Sequence, residues 1–172
     1  MQVIQTARLN LRWLADSDAE FILDLLNQPS WLEFIGDRGV HNLEDARAYI
    51  NNGPLAMIKQ HGFGLYLVEI KSSKTPIGLC GLLKREALED VDMGFAFHPG
   101  FWGQGYAKEA ASACVDYARS QLSLKRLVAI TLPTNQASLA LLNAIGMQHE
   151  KEISLGDSNE VLQLYAKQLA MP

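Results

Sequence analysis

The sequence predicts an α+β fold: a mixed, mostly antiparallel central sheet flanked by helices, in a single domain over residues 1–172. Three observations predict it. Two apolar, strand-like runs, 63–70 and 76–83, flank Lys71-Ser72-Ser73-Lys74-Thr75 and read as an antiparallel hairpin. A third run, 91–97, leads through a glycine-rich turn into a long helical pattern, and a β-rich run, 126–131, follows that helix. A helical crossover between two strands is the order of a parallel pair. Finally, 48% of the residues are hydrophobic and 20% charged, which suits one globular core for 172 residues.

Each element has its own signal. Over 6–14, Leu9, Leu11 and Trp13 alternate with Arg8, Asn10 and Arg12, the pattern of a half-buried strand. Ser17-Asp18-Ala19-Glu20 reads as a capping box, so a helix is expected to about Leu26 with Phe21, Ile22, Leu25 and Leu26 inward. Asn27-Gln28-Pro29 stops it. Residues 30–39 form a loop or broken helix rich in large apolar groups; Trp31 and Phe34 either pack the core or wall a substrate pocket. Asn42 is placed to cap a helix through Asn52, with Ala46, Tyr49 and Ile50 inward, and Gly53-Pro54 breaks it before a further turn or two over 55–60.

In the second hairpin strand, Gly78 and Gly81 suit a bulge or a close backbone approach. Residues 85–90 make a polar connection. The long helix repeats apolar residues at 107, 110, 111, 114, 115, 118 and 122, one buried face. Pro133-Thr134-Asn135 ends the 126–131 strand. Asn135 then caps a helix to about Ile145, with Ser138, Leu141, Leu142 and Ile145 on one face, and Gly146 ends it as the left-handed residue. Two closing strands, 147–155 and 160–169, surround a turn at Gly156-Asp157-Ser158-Asn159.

Several function classes are disfavoured. Net charge is −4 and no basic patch is visible, which argues against nucleic acid as a partner. No apolar run is long enough to span a membrane, and residues 1–8 lack the basic start and apolar block of a signal peptide, so a cytoplasmic protein is expected. Cys80 and Cys114 sit in apolar patterns as buried free thiols. His41, His61, His98 and His149 show no metal-ligand spacing, so no metal is expected; His98, at the strand exit, reads either as a surface turn residue or as a lining of the cofactor channel.

The chemistry centres on His98-Pro99-Gly100-Phe101-Trp102-Gly103-Gln104-Gly105-Tyr106-Ala107-Lys108-Glu109-Ala110. Gly100, Gly103 and Gly105 let the backbone bend toward a ligand. The first helical N–H groups lack partners inside the helix and lie at its positive end, a site for a phosphate-bearing ligand. The stretch fails the Walker pattern, because Lys108 follows Ala107, and fails Gly-x-Gly-x-x-Gly, because Lys108 stands at the last position.

Trp102-Gly103-Gln104-Gly105-Tyr106-Ala107 instead resembles the pyrophosphate loop of the GNAT acetyltransferases, Gln/Arg-x-x-Gly-x-Gly/Ala. With Trp102 at the head, and Glu109-Ala110 in register, it is most similar to the RimJ/RimL-like branch. The resemblance covers nearly the whole chain. Thr6-Ala7-Arg8-Leu9-Asn10-Leu11-Arg12 is similar to that branch's opening, Asp92-Met93-Gly94-Phe95 to its Glu-x-Gly-Tyr strand, and Asn135-Gln136-Ala137-Ser138 and Ala144-Ile145-Gly146-Met147 to its Asn-x-x-Ser and Lys-Leu-Gly-Phe segments.

The resemblance implies a GNAT fold in which the strands 92–97 and 126–131 splay to admit acetyl-CoA. Backbone groups at Phe95, Ala96 and Phe97 would hold the pantetheine arm and polarise the thioester carbonyl. Trp102, Gly103, Gln104, Gly105, Tyr106 and Ala107 would hold the pyrophosphate, with Asn135 assisting. A primary amine, on a protein N-terminus or a small molecule, would attack directly. The family's late-helix Tyr acid is absent; Ala137, Ser138 and Leu139 stand there, and Tyr165 lies in the last strand. The branch's pattern points to Ser138 as hydrogen-bond donor to the leaving thiolate, with Asn135 as positioner or plain N-cap. Asp92 stands where the family often has Glu and is the candidate base; Glu69 and Glu160 are others. A carboxylate pocket would equally suit a cationic acceptor. Trp31 and Phe34 would wall the acceptor site. The alternative is a non-catalytic CoA-binding module, and the molecule is expected to be a monomer or homodimer.

Overall fold

The computed structural model describes residues 1–169; the last three residues of the expected 1–172 domain lie outside them. Eight strands form one sheet: β1 (Gln2–Gln5), β2 (Leu9–Arg12), β3 (Leu65–Ile70), β4 (Pro76–Leu83), β5 (Asp92–Phe97), β6 (Arg126–Thr131), β7 (Gln148–Ile153) and β8 (Leu162–Gln168). Six α-helices flank it: α1 (Ala19–Leu26), α2 (Pro29–Phe34), α3 (Leu43–Asn52), α4 (Pro54–His61), α5 (Tyr106–Ser120) and α6 (Gln136–Ala144).

The strand order is β1-β2-β3-β4-β5-β6-β8-β7. Every neighbouring pair is antiparallel except β5 and β6, which are parallel because α5 carries the chain back between them. The expected mixed, mostly antiparallel sheet is therefore present, and β8 inserts between β6 and β7.

Both faces of the sheet are covered, which explains why β3 and β4 read as continuous apolar runs. Alternate residues serve opposite cores. Tyr66, Val68, Cys80 and Leu82 pack with Ala110, Ala111, Cys114 and Val115 of α5. Leu67 and Leu79 pack with Ile22, Leu25 and Leu26 of α1 and with Ala46 and Ile50 of α3. The glycines of β4 are needed for close approach: a Cβ at Gly81 would lie 2.1 Å from the Gly64 carbonyl, and one at Gly78 would lie 2.6 Å from the Ala96 carbonyl. The β3–β4 register shifts beside Gly78, where β4 carries an extra residue.

Some expectations are corrected. Gln2–Gln5 form β1, paired with β2, a strand for which no signal was read in the sequence. Strand β2 is not half-buried: Asn10, opposite Glu69 in β3, is 2% exposed. The helix at Ala19 is not opened by a Ser17–Glu20 box. Asp18 accepts the Ala15 amide at 2.8 Å, and Arg12 holds the same carboxylate with two bonds of 2.9 Å. Asn42 caps α3 as expected, accepting the Asp45 amide at 2.8 Å. Cys80 and Cys114, distant in sequence, are buried free thiols whose sulfurs lie 3.6 Å apart.

Candidate active site

Strands β5 and β6 meet at one position only, Asp92 opposite Val128, where the Val128 amide donates to the Val91 carbonyl at 3.1 Å. Beyond it each strand follows a different partner. Residues 92–97 of β5 stay paired with β4, and β6 stays paired with β8 along its whole length. The two strands part, and the β5 edge from Met93 to Phe97 borders an open cleft. The cleft belongs to a cavity of about 840 Å³.

Asp92 sits at the apex of the cleft, lines the cavity and is 1% exposed. Arg85 approaches it with Nε 3.3 Å from both carboxylate oxygens. Burial pushes the Asp92 carboxyl above the ordinary aspartate range, and Arg85 opposes that shift without cancelling it. The other carboxylates raised by the sequence are placed elsewhere. Glu69 is buried against Arg12 at 3.1 Å, and Glu160 is exposed in the closing turn. Neither lines the cavity.

The mouth of the cleft is the glycine turn. Gly103 (φ +76°) and Gly105 (φ +80°) are left-handed, which strains any other residue. A Cβ at Gly103 would have nothing within 4 Å, so this backbone is open on that side. The first intrahelical bond of α5 runs from the Glu109 amide to the Gly105 carbonyl at 3.1 Å. The amides of Tyr106, Ala107 and Lys108 therefore have no partner within the helix. Trp102 is 55% exposed but not idle: its indole N–H donates to the Phe97 carbonyl at 2.8 Å and ties the turn to the end of β5.

A second mooring went unread in the sequence. Glu109 accepts the Thr6 hydroxyl, the Arg8 amide at 3.0 Å and Arg8 Nε at 2.8 Å. Arg8 Nη1 also donates to the Gln104 carbonyl at 3.0 Å, and its guanidinium lies 4.4 Å from the centre of the Tyr106 ring. The segment before β2 thus clamps the turn from outside. Burial pushes the Glu109 carboxyl up, but the bonds from Thr6 and Arg8 together hold it below its ordinary range. Both partners belong to stretches the sequence singled out; only their contact was invisible.

Of the loop residues, Trp102, Gly103, Gly105, Tyr106 and Ala107 line the cavity, as do Phe95, Ala96 and Phe97. Gln104 does not: it is exposed, and its carbonyl is taken by Arg8. On the opposite wall Asn135 Oδ1 accepts the Ser138 amide at 3.2 Å, capping α6, and both residues line the cavity. Trp31 and Phe34 of α2 line it from a third side; Trp31 also packs in the core and donates to the Gly36 carbonyl at 3.0 Å. Tyr165 is buried in β8 outside the cavity lining. His98 does not line the cavity; it ties the turn together, Nδ1 accepting the Gly100 amide at 3.1 Å and Nε2 lying 2.9 Å from an Asp24 carboxylate oxygen. Arg38, Met57 and Arg85 line the cavity without any local sequence signal, and Tyr49, expected inward on its helix, lines it too.

The acetyltransferase (GNAT) domain family matches residues 8–148. The chain belongs to the GNAT acetyltransferases. Among similar proteins, the uncharacterized protein YkkB of Bacillus subtilis is 30% identical, over 86% of each chain. The uncharacterized N-acetyltransferase YnaD of the same organism is 27% identical, over 86% of this chain and 83% of its own. An acetyltransferase structure from Agrobacterium tumefaciens superposes with a TM-score of 0.82 at 27% identity, covering 98% of this chain and 94% of that one. RimL, a ribosomal L7/L12 α-N-protein acetyltransferase solved with coenzyme A, shares the fold at a TM-score of 0.81 and 19% identity, covering 98% of each chain. Among the described residues no helix of this GNAT protein is long and apolar enough to cross a membrane, and no His, Cys, Asp and Glu cluster is placed for a metal ion.

Proposed function

We propose that this GNAT acetyltransferase moves an acetyl group from acetyl-CoA to a primary amine, on a protein N-terminus or a small molecule, by direct attack of the neutral amine. One observation carries the reading: the cleft between β5 and β6 and the open glycine turn at the start of α5 face a single cavity of about 840 Å³. Two left-handed glycines and three helix-start amides make a cradle for a pyrophosphate, which a side chain in their place would fill or strain.

Acetyl-CoA supplies the activated acetyl thioester; the chain supplies position and charge. The backbone at Gly103, Gly105, Tyr106 and Ala107 would take the pyrophosphate beside Trp102, and Gln104 would contribute its amide alone. Backbone groups of Phe95, Ala96 and Phe97 would align the pantetheine arm and present donors to the thioester carbonyl. Asp92 receives the amine's proton, directly or through a water; a buried carboxyl with a raised pKa is a better base near neutral pH than an exposed one. Ser138 donates to the departing thiolate, and Asn135 holds the first turn that presents it. Trp31 and Phe34 face the acceptor.

The test has two readouts. Acetyl-CoA is expected to raise the melting temperature, by about 2.7 kcal/mol of added stability at a hundredfold excess over Kd. A panel of primary amines is expected to release free CoA in stoichiometric step with acetyl product. Absence of any thermal shift at millimolar acetyl-CoA contradicts the reading.

A further inference from the structure

The acceptor half of the cavity has a composition that selects among amines. Its walls are Trp31 and Phe34 of α2, Tyr49 of α3, Met57 of α4, Leu65 of β3 and Leu83 of β4. Three charged side chains stand among them: Arg38, Arg85 and Asp92. Asp92 already faces Arg85, so the acid is spoken for. Arg38, in the segment after α2, joins no ion pair among the described residues. It lines the cavity with Tyr49, whose hydroxyl is pushed above its ordinary pKa range by burial, while the Arg38 charge opposes that rise. The balance on this side is thus two cations to one carboxylate, bordering an apolar wall.

Such a site disfavours a polycation. A second ammonium would stand near Arg38 with no carboxylate among the lining residues free to receive it, and although Arg38 is exposed and its repulsion is screened by water, the contact offers a polycation no compensating gain. It favours an acceptor that brings its own anion and an apolar body. A guanidinium beside an apolar wall gains a charge-assisted, two-pronged contact with a carboxylate.

We infer that the acceptor is a free α-amino acid with a large apolar side chain, its carboxylate received by Arg38 and its side chain by the wall of α2, α3 and α4. The inference rests on the acetyl-transfer reading above. The α-amine then lies between the apolar wall and Asp92, which takes its proton while the acetyl carbon gains the new C–N bond and the thiolate leaves. Trp31 and Phe34 set the size of the side chain accepted.

The experiment compares L-phenylalanine, L-phenylalanine amide and spermidine as acceptors, with kcat/KM expressed per neutral amine, alongside the thermal shift by acetyl-CoA. Phenylalanine is expected to exceed its amide by about tenfold or more, because the amide cannot satisfy the guanidinium. Spermidine is expected to be the poorest. Arg38→Gln is expected to lower kcat/KM for phenylalanine about tenfold while leaving the acetyl-CoA shift in place. Equal use of phenylalanine and its amide, a preference for spermidine, or an acetyl-CoA shift with no turnover of phenylalanine each overturns the inference and leaves cofactor binding standing. Loss of the acetyl-CoA shift in the wild type would instead overturn the acetyl-transfer reading itself, and the inference with it.

Discussion

The two ends of the cavity are built differently. The glycine-turn end is backbone: left-handed glycines, helix-start amides and the free edge of β5, held from outside by Arg8, Glu109 and the Trp102 indole. The far end is side chain: aromatic and aliphatic groups from α2, α3, α4, β3 and β4 around Arg38, Arg85 and Asp92. A site made of backbone serves a ligand that never changes, since its geometry survives most side-chain substitutions. A site made of side chains from five elements is easily retuned. Under the function proposed above, the constant partner, acetyl-CoA, would occupy the first end and the variable one, the acceptor, the second.

The largest effect expected breaks the backbone end. Gly105→Glu forces a side chain onto φ +80° and sets a negative charge where the proposed function places the pyrophosphate. Acetyl-CoA should no longer raise the melting temperature, and turnover should vanish; a retained shift would place the ligand elsewhere.

Next comes the junction of the two ends. Asp92→Asn is expected to lower kcat/KM by about 10²-fold or more, with acetyl-CoA affinity little changed, as removal of a positioned base should. The wild-type rate should fall as pH drops through the raised Asp92 value, and Asp92→Asn should lose that limb. Stability has its own sign. The folded state holds the Asp92 proton more tightly than the unfolded chain does. Its contribution is therefore fully present below the unfolded value near 3.8 and is lost as pH rises through the raised folded value. Melting temperatures of wild type and Asp92→Asn across pH should converge or cross in that direction; a difference that grows the other way contradicts it.

Glu109→Ala removes the mooring rather than the cradle. It leaves Arg8 and Thr6 without their acceptor, at a cost of about 1 kcal/mol, since Arg8 is half exposed and water can take the vacated bonds. Because the folded Glu109 carboxyl sits below its ordinary value, its contribution is present above pH 4.5 and lost as pH falls through the folded value. The wild-type advantage in melting temperature should accordingly shrink toward acid pH. Acetyl-CoA binding should weaken without disappearing.

The smallest effects fall on α6. Ser138→Ala should lower kcat and kcat/KM together by about 10²-fold at most, with the melting temperature nearly unchanged. Asn135→Ala should lose a cap worth about 1 kcal/mol and so lower stability as well as activity. Unchanged kcat in Ser138→Ala would leave solvent as the proton donor.

The same contrast explains what could be read from the sequence. The backbone end was legible because its information is local: Trp102 to Ala107 and the α5 repeat specify a turn and a helix within a dozen residues. Strands β4 and β6 and the Asn42 and Asn135 caps were legible for the same reason, period and end signals being short-range. The side-chain end was not. Arg38 and Arg85 sit in connecting segments with no periodic pattern, and only the tertiary fold brings them to one cavity with Trp31 and Tyr49. Alternation misled at β2, because Asn10 and Glu69 form a buried polar pair on a face that looked like solvent. Ser17 looked like a cap, but Asp18, bound by Arg12, took the Ala15 amide instead.

The division between the two ends is tested most directly by a backbone amide NMR titration with acetyl-CoA in the absence of any amine. The account predicts the largest shifts at Gly103, Gly105, Tyr106, Ala107 and Lys108, then along Met93 to Phe97, with small changes around Trp31, Arg38 and Tyr49. Loop amides that stay in place while the α2 and α3 signals move would contradict it.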